Sequence, residues 1–161
     1  MQNNYLQKLS DDYQVSRILK TNDESKEYGL SLTEDEATGL VMAKRDTLKM
    51  ERRVEFGEGI MPKLINTFAD SSFINQEDFA ETLARLQDIF YLYKNESMDM
   101  ITDDELLGFM KNAFENESGG DLEYLEGTAL ESFARNIRSG ENWADRYKRE
   151  KLNLGDDSYE L

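Results

Sequence analysis

The stretch Phe79-Ala80-Glu81-Thr82-Leu83-Ala84-Arg85-Leu86-Gln87-Asp88-Ile89-Phe90-Tyr91-Leu92-Tyr93 decides the fold class. Phe79, Leu83, Leu86, Phe90 and Tyr93 recur at alternating steps of four and three, which brings them to one face of an α-helix. Ile89, Tyr91 and Leu92 widen that stripe around the cylinder. A helix apolar on so much of its circumference has to be wrapped by other elements, so it is expected at the centre of the molecule. Asn75 and Asp78 stand before it as the expected cap.

Helix signals continue in both directions. Thr33 with Glu36, and Thr102 with Glu105, have the spacing of a capping box, in which the hydroxyl accepts an orphan backbone N–H and the glutamate reaches back. From Thr33 the positions Leu40, Ala43, Thr47, Met50 and Val54 predict a long helix with Gly57 as its stop, flanked by Lys44, Arg45, Lys49, Arg52 and Arg53. Pro62 fits the first turn of a helix running to about Ala69. From Thr102, the positions Leu106, Phe109, Met110, Ala113 and Phe114 share a side before Gly119-Gly120 ends the run, and a last helix is expected over residues 121–138. Ahead of all these, residues 4–28 carry a looser stripe (Leu6, Leu9, Tyr13, Ile18, Leu19), read as one or two short helices, and Leu30-Ser31-Leu32 reads as extended. With one proline in the chain, strand signals are nearly absent. The expectation is an all-α, single compact helical domain of five to seven helices over residues 1–161. Its core should lie over about 28–138, and the tail over about 155–161 should be disordered.

Composition narrows the chemistry. The 161 residues include no histidine and no cysteine. Imidazole bases, Ser-His-Asp and Cys-His nucleophile systems, zinc and iron–sulfur sites, and disulfides are thereby excluded. There is no run of apolar residues long enough to span a bilayer and no basic leader with an apolar core, so a cytoplasmic location is expected, with no membrane partner. The net charge of −15 is uneven: residues 1–56 hold 9 basic and 11 acidic side chains, residues 57–133 hold 4 and 17, and residues 134–161 hold 6 and 6. The middle segment would repel nucleic acid and attract a basic protein.

Residues 101–105 look like the exit half of an EF-hand loop, but Lys94 would then occupy the first ligand position, so capping explains them better. Acid pairs suited to magnesium (Glu55 with Glu58, Asp78 with Glu81, Glu123 with Glu126) do not assemble well, and no phosphate-binding glycine motif is present. No metal and no cofactor is expected. The basic clusters are interleaved with acids, so no nucleic-acid partner is expected either. Trp143 and Tyr147 read as contact anchors. Arg53, Glu55, Glu58 and Lys63, beside the Gly57-Glu58-Gly59 joint and a helix start, are the candidate ligand-binding residues.

Four separated segments also carry a resemblance: Arg53-Val54-Glu55-Phe56-Gly57-Glu58-Gly59-Ile60-Met61-Pro62-Lys63-Leu64-Ile65, Tyr28-Gly29-Leu30-Ser31-Leu32-Thr33, Tyr91-Leu92-Tyr93-Lys94-Asn95-Glu96-Ser97, and Leu122-Glu123-Tyr124-Leu125-Glu126-Gly127-Thr128-Ala129-Leu130. Over residues 28–138 the chain resembles a family of short proteins of Clostridia-type Firmicutes known as a domain of unknown function. The resemblance implies a bacterial, cytoplasmic, all-helical protein and carries no catalytic residues across. The expected function is a non-enzymatic acidic interaction module that meets a basic protein partner or forms a homo-oligomer. The alternative is a small Arg/Lys/carboxylate enzyme or anion-binding protein with its site in residues 53–63. An enzyme is the less favoured of the two.

Overall fold

A computed structural model describes residues 2–55 and 59–139, with side chains from residue 5 onward. Among these residues there is no strand, and six helices have eight residues or more. With two shorter ones, the helices in chain order are α1 (Gln2–Lys20), the short α2 (Asn22–Ser25), α3 (Glu34–Met50), α4 (Met61–Phe68), α5 (Phe79–Glu96), α6 (Asp103–Asn116), the short α7 (Leu122–Tyr124) and α8 (Leu130–Arg138). The all-α expectation holds.

The central role of α5 also holds, since it touches α3, α4, α6 and α8. Leu83, Leu86, Ile89, Phe90 and Tyr91 are all buried along it. Its start differs from expectation: a single 3-10 turn, Gln76–Asp78, leads into the helix, and neither Asn75 nor Asp78 makes a side-chain capping bond. Both capping boxes form in full. Glu36 N–H donates to Thr33 Oγ1 at 3.1 Å while Thr33 N–H donates to Glu36 Oε1 at 2.9 Å, and the same pair of bonds joins Thr102 and Glu105. Pro62 sits in the first turn of α4 as expected.

The end of α3 is a correction. The helix stops at Met50, where Arg52 takes a left-handed conformation with φ 57°. Met50 and Val54 are therefore 83% and 79% exposed rather than core. The buried stripe is instead Ala37, Leu40, Val41, Lys44 and Thr47, so the expected basic flank loses Lys44 to the interior.

Residues 30–32 belong to no helix, and amide side chains serve as their partners. Asn22 Nδ2 donates to Leu32 O at 2.9 Å while Leu32 N–H donates to Asn22 Oδ1 at 2.8 Å, and Gln76 exchanges an equivalent pair with Ser31. Backbone groups away from a helix need such partners. Further along the chain, Gly119 (φ 55°) and Gly120 (φ 85°) close α6. A Cβ on Gly120 would lie 2.7 Å from Phe73, so only glycine allows that approach.

The expected last helix is one run broken by a wider π turn over Leu125–Ala129. Buried Leu125, Ala129, Phe133 and Ile137 recur every four residues, a step that drifts ahead of a 3.6-residue turn. A wider turn takes up part of that drift. There the Tyr93 hydroxyl donates to the Glu126 carbonyl, supplying a partner from α5. Burial, then the nearby glutamates, push the Tyr93 phenol up to about 12.

Candidate functional site

α3 and α5 end side by side, and both ends are closed by residues other than glycine in left-handed conformations: Arg52, and Met98 with Asp99 (φ 56° each). Such conformations cost L-residues roughly 1–2 kcal/mol each. A polar knot between the two ends holds them. Arg53 Nη1 donates to Asn95 Oδ1 at 2.6 Å, and its guanidinium spans Asp99 with bonds of 2.8 and 3.1 Å. Asn95 Nδ2 in turn donates to the Glu51 carbonyl at 2.9 Å and to its carboxylate at 3.0 Å. The bond to Arg53 is the main reason the Asp99 carboxyl lies below its usual range, and it also raises Arg53.

Two residues further on, Glu55 accepts a 2.7 Å hydrogen bond from the Tyr91 hydroxyl on the central helix. Burial first, and the Glu55 charge second, hold that phenol neutral well above the usual tyrosine range. Lys44 approaches from α3, where it is 8% exposed and its Nζ donates to Gln14 of α1. Burial pushes the Lys44 amine down, while Glu55 and then Asp11 act in the opposite sense. Gly59, at φ 82°, lies between Lys44 and Glu55. A Cβ there would sit 2.8 Å from Lys44 Nζ and 3.2 Å from Glu55 Oε1, so cation and carboxylate face each other over a bare Cα.

These groups open onto a cleft of about 370 Å³ between α1 and α3. Its polar wall is Gln7, Ser10, Asp11, Gln14, Lys44, Arg45 and Glu55, and its apolar part is Val41 and Leu48. Two cations and two carboxylates make it charge-balanced. Arg45 Nη2 spans the Asp11 carboxylate at 2.6 and 2.7 Å, and Gln7 donates to the same Asp11 at 3.0 Å. The volume falls within the range of small-molecule sites.

Of the residues expected to form a site, Arg53 and Glu55 come together at this end of α3. Lys63 lies on the exposed side of α4, paired with Asp104 of α6 at 3.0 Å. Glu58, Trp143, Tyr147 and the tail over 155–161 lie outside the described residues. Sequence reasoning missed Lys44, Gln14, Gly59 and Tyr91 as partners of Glu55. The one local signal was that Lys44 follows Leu40 by four and precedes Thr47 by three, which puts it on the buried face. Among the described residues, no three acidic side chains gather as a metal site, and no helix is long and apolar enough to cross a membrane.

Fold and cleft together define a small all-α domain with a polar, charge-balanced cavity on its α1–α3 side. Residues 17–143 match the model of the Family of unknown function (DUF6323), and the chain belongs to that family. No curated protein and no solved structure matches it. The matched region starts inside α1, so Lys44, Arg45, Glu55, Gly59 and Tyr91 fall within it while Gln7, Asp11 and Gln14 precede it.

Proposed function

We propose that this protein is a non-enzymatic binding module and that its α1–α3 cleft takes a small polar molecule bearing charges of both signs, such as a free amino acid. The observation that carries this reading is the opposed Lys44 and Glu55 across Gly59. A ligand carboxylate would pair with Lys44 and Arg45, and a ligand ammonium with Glu55 and Asp11. Such a ligand exchanges existing hydrogen bonds for new ones, and each exchange is worth only about 1 kcal/mol net. Selectivity then rests on matching every charged group, since a group left unpaired costs more than a formed pair returns. The test is thermal unfolding of the full chain against a panel of amino acids, simple amines and simple carboxylates. At about 100 times its Kd a true ligand stabilises the fold by about 2.7 kcal/mol. Zwitterions should raise the Tm where singly charged compounds do not, and Lys44→Met should abolish the rise. A flat panel, or a rise unchanged in Lys44→Met, rules the reading out.

A second reading, an acidic surface for a basic protein partner in a bacterial cytoplasm, is supported by a separate observation. Lys63, Arg85, Lys94 and Lys111, the cations of residues 59–133, pair with Asp104, Glu126, Asp103 and Asp70 within the fold. The surplus, including Glu77, Asp78, Glu81, Glu117, Asp121 and Glu123, faces solvent. Tagged protein recovered from its host should then carry a stoichiometric partner at low salt and lose it at several-fold higher salt. Capture that ignores salt excludes the electrostatic version.

A further inference from the structure

The α1–α3 cleft holds an amine as well as a charge. Lys44 lines the cavity and yet is only 8% exposed, so most of what surrounds it is protein rather than water. Gln14 Oε1 accepts a hydrogen bond from Nζ, which an ammonium and a free amine can both donate, so the nitrogen is held in place in either form. On another side stands Gly59. A Cβ there would come within 2.8 Å of Nζ and 3.2 Å of Glu55 Oε1, so the bare Cα keeps a side chain out of the space between amine and carboxylate. Arg45, the next residue of α3, lines the same cavity, and Val41 and Leu48 supply its apolar surface. An amine, a carboxylate facing it, a guanidinium and a small apolar wall are the parts needed to capture a carbonyl compound that carries a carboxylate.

We propose that Lys44 captures a short-chain 2-oxo acid reversibly, as an imine between Nζ and the keto carbon. The ligand carboxylate lies on Arg45, in exchange with Asp11, and the alkyl end lies on Val41 and Leu48. Lys44 first yields a proton to Glu55. The free amine attacks the keto carbon, the C=O pair moves to oxygen, and one nitrogen proton passes to that oxygen. Glu55 returns its proton to the new hydroxyl, which leaves as water while the nitrogen lone pair closes the C=N bond. Ammonium and ketone thus give a protonated imine and one water, with no oxidation or reduction, and hydrolysis reverses every step. Burial lowers the Lys44 amine and Arg45 adds to this, while Glu55 and Asp11 oppose it; the net fall enlarges the free-amine fraction at neutral pH. The Tyr91 phenol bonded to Glu55 stays neutral throughout. This ligand class does not depend on amino-acid binding, because an amino acid meets the Lys44 ammonium and an oxo acid meets its amine.

Reductive trapping of the full chain near neutral pH provides the test. The probe is 2-oxobutyrate with cyanoborohydride, which reduces the imine to a stable amine, and peptide mapping locates the adduct. Lys44 should be labelled at least about tenfold faster than exposed Lys49 or the N-terminal amine, tenfold being the gain in free amine for each pKa unit. Its labelling rate should also level off at lower pH than that of Lys49. The preference for Lys44 should vanish with butanone, which has a methyl in place of the carboxylate. Arg45→Met should raise the 2-oxobutyrate concentration for half-maximal trapping about tenfold. Lys44→Arg keeps the charge without the amine and should leave only the slow labelling of the surface; the wild-type map decides even where that variant fails to fold. Lys44 labelled no faster than Lys49 or the N-terminal amine overturns the inference, and so does an equal preference for Lys44 with butanone. An adduct at Lys44 beside a flat amino-acid panel would sink the zwitterion reading alone, and a Tm rise with amino acids but no adduct would sink this inference alone.

Discussion

The α5–α6 side and the α1–α3 seam are held together by different forces. Around α5 and α6 the contacts are apolar and close-packed: Leu83, Leu86, Leu106 and Met110 have no exposure, Phe68 meets Phe114 edge-on at 5.4 Å, and Phe109 stacks on Phe133 at 3.8 Å. Along the seam the buried groups include Gln14 and Lys44, which bond to each other. Apolar burial is non-directional and fills space, whereas polar pairs need fixed geometry and leave gaps where no further partner fits. The cleft lies on the side built from polar pairs, so stability and binding are divided between two parts of one small domain.

Breaking the apolar side should have the largest effect. Leu86→Ala removes a fully buried side chain from the central helix and should cost about 2–5 kcal/mol in chemical denaturation. A loss below that of the seam variants would mean the comparison is drawn the wrong way round. Gly59→Ala, at φ 82° with its Cβ pressed on Lys44, should cost about 1–3 kcal/mol. The same denaturation curves read it, and a neutral result would show that the Lys44 side chain moves aside freely.

Tyr91→Phe should cost about 1–2 kcal/mol by removing the bond to Glu55. It should also change the alkaline limb of the stability profile. Both buried phenols hold their protons in the fold above 10.0, where the unfolded chain releases them. Their contribution is complete below about pH 10 and is lost as pH rises through the folded values. Lys44 acts in the opposite sense: its amine is depressed in the fold, so its share of stability rises as pH climbs toward 10.5. Melting curves from pH 8 to 11 should therefore fall less steeply in Tyr91→Phe, and an unchanged slope would remove Tyr91 from the account.

Smaller effects separate local from tertiary terms. Thr102→Ala breaks a capping box and should cost about 1 kcal/mol, read as a lower denaturation midpoint with an unchanged slope. Arg45→Ala removes a part-exposed ion pair and should cost less than about 1 kcal/mol. A larger loss there would mean that the seam is stiffer than its exposed pairs suggest.

Much of the fold was legible in the chain. The seven-residue rhythm from Phe79 to Tyr93, both Thr-x-x-Glu boxes, Pro62 and Gly119-Gly120 all act within a few residues of themselves, and each does what its spacing predicts. The failures have a common form. Met50 and Val54 continue the helical spacing of α3, but Arg52 ends the helix before them, and its left-handed turn is held by a neighbouring knot in which Arg53 reaches Asn95 and Asp99 more than forty residues away. Leu6, Leu9 and Tyr13 read as one stripe with Ile18 and Leu19, yet the fold covers only the latter two, because α3 lies on one side of α1 alone. Arg53 and Glu55 could be picked out as charges beside a joint, while Lys44, Gln14 and Tyr91 could not be joined to them.

The sequence by itself determined that this protein is an acidic all-α domain without histidine or cysteine chemistry, and where most of its helices start and stop. Composition and capping are properties of single residues and their near neighbours, so they need no third dimension. Only the tertiary structure decided that a lysine drawn as surface is buried against a carboxylate over a glycine, and that α1 carries a second, uncovered face. Burial depends on which helices pack against one another, and that arrangement is set by contacts between residues far apart in the chain.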